Sequence, residues 1–341
     1  MIYKIALMPG DGIGPELTEA TLKVLDAVQK KFGIQLDFIK VEAGDDCLKK
    51  RGVALPEETM STIKSSNACL KGPVGETAAD VIVKLRLLLD LYANLRPLKS
   101  YPNTPSIRAD IDMLFVRENT EDVYKGLEFN IDSDTAICLR LITRKGSERI
   151  ARYAFEMARK RKKALKVTAI HKSNVLKVTD GLFLKTCEEV AKSYPDISLN
   201  DMYVDAASME LIRSPQIFDV IVTTNMFGDI LSDEAAMTVG GLGMAPGANI
   251  GDKYALFEPI HGSAPKLAGK QVANPTSMIL AARLMFEWLG MKNSDSSCIQ
   301  ASYEIERALV ETLNAKILTE DLGGAVKTGK FGEAIAKRIA G

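Results

Sequence analysis

Asp229 and Asp233 stand four residues apart in NMFGDILSDEA (225–235), a stretch that reads as helical, so both carboxylates lie on one face. Like charges at that spacing destabilise a helix unless a cation sits between them. Oxygen-only donors suit Mg2+ or Mn2+; the alternative is a solvated acidic face. Asp205, in YVDAASMELIRSP (203–215), offers a third carboxylate at a strand end. Arginines form a second group. Arg86 and Arg96 lie within ADVIVKLRLLLDLYANLRP (79–97), a mostly apolar, helix-like run, and Arg117 opens RENTEDVYKG (117–126). Either the first two are surface positions on an amphipathic helix, or they hold an acid whose remaining part is read by the apolar residues around Arg86.

Two residues could move protons. Lys172, in HKSNV (171–175), ends a buried strand, where desolvation would lower its pKa and make it a base. Tyr124 could donate one. The alternatives are an ordinary surface lysine and a half-buried packing tyrosine. His261, one of two histidines, stands in EPIHGSAPKLAG (258–269). Its small neighbours Gly262, Ser263 and Ala264 would let backbone approach a flat ring or a phosphate. GDGIGPE (10–16) follows a strand and opens a helix, but Gly10, Gly12 and Gly14 spell GxGxG. The dinucleotide fingerprint is GxGxxG, so a standard Rossmann reading fails and a tight strand-to-helix turn is the alternative.

The elements that must position these groups alternate. Strands are expected at 2–8, 35–41, 111–117, 165–170 and 218–224. Helices are expected at 15–31, 57–65, 76–92, 147–163 with Ser147 as N-cap, 179–192, 227–238, 275–289 and 300–316. This pattern predicts an α/β architecture with much parallel sheet and ligands beyond the C-terminal ends of its strands. Three segments break it: 127–143 reads as paired strands projecting from the body, 239–252 as a glycine-rich loop, and 257–275 as a long loop.

The 341 residues suffice for two domains or one two-lobed enzyme. The 44 basic and 44 acidic residues cancel, so no basic excess points to nucleic acid or to a membrane surface, and an acidic ligand needs a local cationic cluster. The five cysteines are widely spaced without CxxC, which argues against a disulfide framework or a zinc site. MIYKIALMPG begins as a strand with no signal peptide, and no long uncharged apolar run follows. A cytoplasmic location is expected.

In order, GDGIGPE, DLYANLRP, RENTE, HKSNV, FDVIVTTNMFGDILSDEA, EPIHGSAPKLAGKQVANP and DLGG (321–324) resemble the isocitrate/isopropylmalate dehydrogenase family of metal-dependent β-decarboxylating dehydrogenases, along nearly the whole chain. The resemblance implies that family's two-domain fold, a large central sheet flanked by helices and not a Rossmann fold. Residues 1–97 and 246–341 would form a discontinuous cofactor-side domain. Residues 98–245 would form the substrate and dimerisation domain, with an interlocking arm at 127–143 of a homodimer or higher homo-oligomer. Arg86, Arg96 and Arg117 match the arginines that hold the carboxylates of a 2R-hydroxy di- or tricarboxylate. Tyr124 matches the proton-handling tyrosine. Lys172, lent by the partner subunit, matches the general base. Asp205, also lent, with Asp229 and Asp233 matches the ligands of Mg2+ or Mn2+. Glu258, His261, Gly262, Ser263, Ala264, Asn274 and Asp321 match the cofactor region.

Members of that family share a malate core and differ in its third substituent. Isocitrate enzymes carry Ser and Asn where this chain has Asp80 and Ile82, and homoisocitrate enzymes can carry a cation where it has Val83. Ile82 and Val83 suit an isopropyl group and would leave a third carboxylate unpaired. The expected reaction is oxidative decarboxylation of 3-isopropylmalate to 4-methyl-2-oxopentanoate, a step of leucine biosynthesis. RENTE points instead to isocitrate or homoisocitrate, with Lys84 as the cation that would pair the extra carboxylate. A non-catalytic regulatory subunit is the remote alternative, opposed by the presence of Tyr124, Lys172, Asp205, Asp229 and Asp233. Lys266 stands where NADP-using relatives have lysine, but Glu320 and Gly324 replace their Tyr and Arg. NAD is therefore expected, with NADP as the alternative.

Overall fold

In the computed structural model, which describes residues 2–341, the chain enters through β1 (Ile2–Met8), whose last four residues are all buried. It leaves through Gly10 and Gly12, both at positive φ, and a Cβ on Gly12 would lie 2.0 Å from the carbonyl oxygen of Ser263. Asp11, between them, accepts hydrogen bonds from the amides of Asp45, Asp46 and Gly75. Pro15 then opens the helix Gly14–Phe32. GDGIGPE is thus a junction where three distant segments meet, which is why it departs from the phosphate-binding spacing.

Eleven further strands follow: β2 (Gln35–Lys40), β3 (Ala68–Lys71), β4 (Ala93–Lys99), β5 (Asp112–Glu118), β6 (Glu128–Asn130), β7 (Ala136–Cys138), β8 (Lys166–His171), β9 (Ser198–Tyr203), β10 (Val220–Thr223), β11 (Pro246–Ile250) and β12 (Ala255–Pro259). Nine of them join β1 in one ten-stranded sheet in the order β2-β1-β3-β12-β11-β4-β5-β10-β8-β9. Its flanks are parallel, as expected. Its centre is not: β4 runs antiparallel to β5 and β11, and β11 antiparallel to β12. Helices cover both faces. Gly14–Phe32, Thr276–Asn293, Ser296–Asn314 and Thr328–Ala340 share the largest hydrophobic cluster, whereas Val204–Arg213 and Asn225–Thr238 pack over β5 and β10 on the other side.

Four expectations need correction. The helix expected at 76–92 is a π-helical turn, Ala79–Val83, followed by one short α-helix, Lys84–Leu88. The chain then turns through Asp90 at φ 48°, and DLYANLRP becomes β4. The glycine-rich segment 239–252 contains β11, five buried residues, because small side chains suit a strand covered on both faces. The loop expected at 257–275 begins later, since Glu258 belongs to β12. The helix placed at 147–163 starts at Arg144, and its cap is Thr143, whose hydroxyl accepts from the Gly146 amide at 3.0 Å. β6 and β7 pair as a separate two-stranded sheet that exposes Leu127, Phe129, Ile131 and Leu139, in keeping with a projecting arm. All five cysteines are free, and among the described residues no helix is long and apolar enough to cross a membrane.

Candidate active site

The antiparallel centre of the sheet brings the arginines together. Arg117 on β5 faces Asn94 on β4, and Arg96 follows two residues later on the same face. Arg86 comes from the short helix before β4. All three are buried, Arg117 completely. It reaches its position because Gly228 lies beside it: a Cβ there would stand 2.6 Å from Arg117 Cγ.

Asp229 sits among these cations. Its Oδ1 accepts from Arg96 at 2.9 Å and from Arg117 at 2.5 Å, and its Oδ2 accepts from the Tyr124 hydroxyl at 2.5 Å. Burial alone would raise its pKa, but Arg117, Arg96 and the tyrosine outweigh that and hold it at about 2. Asp233 accepts from Arg96 at 2.8 Å. Burial raises its pKa, with Asp229 adding to the rise and Arg96 opposing it. Burial and the two neighbouring arginines lower Arg117 to about 9. Arg117 lies 5.1 Å from the centre of the Tyr124 ring, and burial keeps that phenol protonated well above neutral pH. This concentration of positive charge, with few internal partners for Arg86, is built for a small polyanion.

The face beneath the arginines carries groups that the motifs did not single out. Lys71 on β3, Glu258 on β12, Asn249 on β11 and Asn94 on β4 form a hydrogen-bonded row running to the arginines. Glu258 therefore lies in the row beneath the arginines and does not line the cleft around His261 described below. Asn119, within RENTE, donates to Asn249 at 3.0 Å and to the Leu91 carbonyl at 2.8 Å.

Ile82 and Val83 are half-buried and lie four and three residues before Arg86, on its face of the helical segment. Ile82 also packs against the core. Lys84 is exposed and pairs with Asp80 at 3.1 Å.

Lys172 and Asp205 lie elsewhere in the chain. Lys172 follows β8, its amide donates to Asp180 at 2.6 Å, and its ammonium pairs with Asp205 at 2.5 Å. That bond holds Asp205 below the usual carboxylate range. Among the described residues, neither makes a hydrogen bond to the arginine cluster, and no three His, Cys, Asp or Glu side chains of one chain gather as a metal site. Asp229 and Asp233 fit a hard dication as two of its oxygen ligands; a third carboxylate must come from outside this cluster.

A cleft of about 620 Å³ gathers His261, Gly262, Ala264, Asn274, Glu320 and Asp321. Asn274 donates to Asp321 at 3.0 Å. His261 Nδ1 lies 3.0 Å from the Gly262 carbonyl oxygen, which places the ring proton there, and burial lowers the pKa and keeps the ring neutral. Ala264 adopts the left-handed conformation at φ 40°. Ser263 is buried behind the wall, its carbonyl accepting from the Ile13 amide at 2.9 Å. Lys266 is exposed and off the lining.

An anion-gripping centre beside a wide, largely apolar cleft on a mixed ten-stranded sheet defines an α/β enzyme with room for an acid and a second, larger ligand. This chain belongs to the isocitrate/isopropylmalate dehydrogenase family, whose model matches residues 4–335. It is similar to 3-isopropylmalate/3-methylmalate dehydrogenase of Methanocaldococcus jannaschii, 52% identical over 341 residues and covering 99% of each chain. It is also similar to 3-isopropylmalate dehydrogenase of Methanothermobacter thermautotrophicus, 51% identical over 336 residues and 98% of each. The crystal structure of isocitrate dehydrogenase from Methylococcus capsulatus superposes with a TM-score of 0.93 at 45% identity, over 99% of this chain and all of that one.

Proposed function

We propose that this protein catalyses the oxidative decarboxylation of 3-isopropylmalate in leucine biosynthesis, with NAD and Mg2+ or Mn2+, as a homodimer. The observation that carries the substrate choice is the 3.1 Å pair of Lys84 with Asp80. It turns Lys84, two residues before Arg86 in the chain, outward and leaves Ile82 and Val83 as the neighbours of the bound acid. A branched alkyl group is welcome there, and a third carboxylate would lose water without gaining a partner. The relatives named as 3-isopropylmalate dehydrogenases point the same way.

Arg86, Arg96 and Arg117 hold the carboxylates of the malate core. NAD would supply the hydride acceptor, and a dication would be held by Asp229, Asp233 and Asp205 of the partner subunit and would supply Lewis acidity. Lys172 of the partner subunit takes the C2 hydroxyl proton as the alcohol is oxidised. The 2-keto acid then loses its β-carboxylate as CO2, and Tyr124 delivers a proton to C3. Glu320, lining the cleft from which Lys266 is absent, disfavours a 2′-phosphate and favours NAD over NADP. Exposed apolar residues support the dimer: Met209 and Ile212 on one helix, Ile230 and Met237 on the next, beside the apolar arm.

Steady-state nicotinamide reduction with Mg2+ tests this, comparing 3-isopropylmalate, isocitrate and homoisocitrate with NAD and NADP. The highest kcat/KM is expected for 3-isopropylmalate with NAD. A tricarboxylate in first place would overturn the substrate assignment.

A further inference from the structure

We infer that Asn249 is a positioning residue for this reaction: its amide sets the orientation of Arg86 and, through Asn94, of Arg96. This rests on the reading that these arginines hold the hydroxy acid.

The sheet register carries the inference. Asn249 on β11 stands directly opposite Asn94 on β4, and Asn94 directly opposite Arg117 on β5. Across β11 lies β12, where Glu258 projects from the same face and meets Lys71 of β3 at 2.8 Å. One polar row therefore crosses five neighbouring strands, and Asn249 is its middle member. Its side chain is completely buried. The amide oxygen accepts from Arg86 Nε at 3.0 Å, Asn94 Nδ2 at 2.8 Å and Asn119 Nδ2 at 3.0 Å. The amide nitrogen donates to Glu258 Oε1 at 2.8 Å.

The chemistry allows one orientation of this amide. Its nitrogen must face Glu258, a carboxylate that Lys71 and Arg86 keep ionised against the pull of burial, and its oxygen must face three N–H donors. Arg86 consequently spends Nε on the protein and keeps its terminal nitrogens for a ligand, with only a 3.5 Å approach of one of them to Glu258. Asn94, fixed by its own bond to Asn249, accepts from Arg96 Nε at 2.8 Å, and the terminal nitrogens of that guanidinium turn to Ser232, Asp233 and Asp229. An aspartate at 249 could accept the same three bonds but could not donate to Glu258. An alanine would do neither and would leave Arg86 Nε and both asparagines short of a partner.

The test compares Asn249→Ala and Asn249→Asp with wild type, measuring kcat, KM for hydroxy acid and KM for nucleotide. 3-Isopropylmalate and isocitrate are assayed in parallel, because both carry the malate core. If the preferred acid proves to be isocitrate, the substrate assignment falls, and the KM comparison on isocitrate still decides the role of Asn249. Asn249→Ala is expected to raise KM for the preferred acid about tenfold or more while nucleotide KM changes less than about twofold. Asn249→Asp, which sets a second carboxylate against Glu258, should raise the acid KM as well. Equal effects on both KM values, or an unchanged acid KM in folded Asn249→Ala, would overturn the inference. Should that variant fail to fold, Asn94→Ser, which releases Arg96 Nε and one donor to Asn249 but leaves Arg86 bonded to Asn249, must show the same one-sided rise in acid KM or the inference fails.

Discussion

Lys71 Nζ stands 2.8 Å from Glu258 Oε2, with both side chains buried on neighbouring strands β3 and β12. Burial raises the Glu258 pKa, but Lys71, Arg86 and Asn249 outweigh it and hold the carboxyl at about 2, below its usual 4.5. A depressed carboxyl stabilises the fold above its unfolded pKa, and that contribution disappears as pH falls through the folded value. Thermal unfolding should therefore show a loss of Tm between about pH 4.5 and pH 2 that is shallower in Glu258→Gln. Lys71→Met leaves a buried anion short of its main partner and should cost about 3–5 kcal/mol in denaturant unfolding at pH 7. An unchanged midpoint would mean that Arg86 and Asn249 suffice to hold Glu258.

Substrate choice should respond to the face that Ile82 and Val83 share with Arg86. Val83→Lys puts a cation one helical turn from that guanidinium. It should shift the ratio of kcat/KM towards isocitrate or homoisocitrate by about tenfold or more. Lys84→Ala should leave the ratio within about twofold, because that lysine is spent on Asp80. A large effect of Lys84→Ala with no effect of Val83→Lys would reverse the roles given to these positions.

Lys172 and Asp205 pair with each other and not with the arginine cluster. If each site borrows them from the other copy, Lys172→Met and Asp229→Asn should both be inactive alone and complement when mixed. A statistical 1:1 mixture makes half of the dimers mixed, and one of the two sites in each has every group, so about a quarter of wild-type activity should return. Verified mixed dimers without activity would place Lys172 in its own chain's site.

The exposed stripe formed by Met209, Ile212, Ile230 and Met237 should close the dimer. Met209→Glu with Ile230→Glu should shift the mass seen by light scattering from dimer to monomer and remove turnover with it. A monomer that keeps full activity would separate catalysis from assembly.

The sequence revealed the charged groups more readily than the frame that holds them. Arg86 and Arg96 stood out because charge inside an apolar run is expensive, Arg117 because it ends a strand, and Asp229 and Asp233 because they stand four apart on a helix; the structure gathers all five. Asn249 did not, because glycine and proline around it signalled loop, although small residues are also what the centre of a doubly covered sheet requires. The antiparallel turn of β4 was hidden inside DLYANLRP, which continues the apolar pattern of the preceding helix without a break. RENTE suggested a tricarboxylate, yet the Asn119 amide is directed at Asn249 and the Leu91 carbonyl. Asn119 therefore serves the framework under the arginines. The alternation of strands and helices gave β1, β2, β5, β8 and β10 but not the flank strands β3 and β9, and hydrophobic period alone could not report the direction of the middle strands.

The π-helical turn Ala79–Val83 has one further consequence. Its hydrogen bonds close loops one residue longer than those of the α-helix Lys84–Leu88 that follows it. The surplus residue falls within the turn that holds Ile82 and Val83, the selector proposed above, and Arg86 lies downstream of it, anchored to Asn249. A deletion that restores an α-turn there would redraw the selector while leaving the acid grip in register. The fold thus carries a hinge point for evolutionary change, where a new side chain on the substrate can be accommodated by altering length, without rebuilding the chemistry.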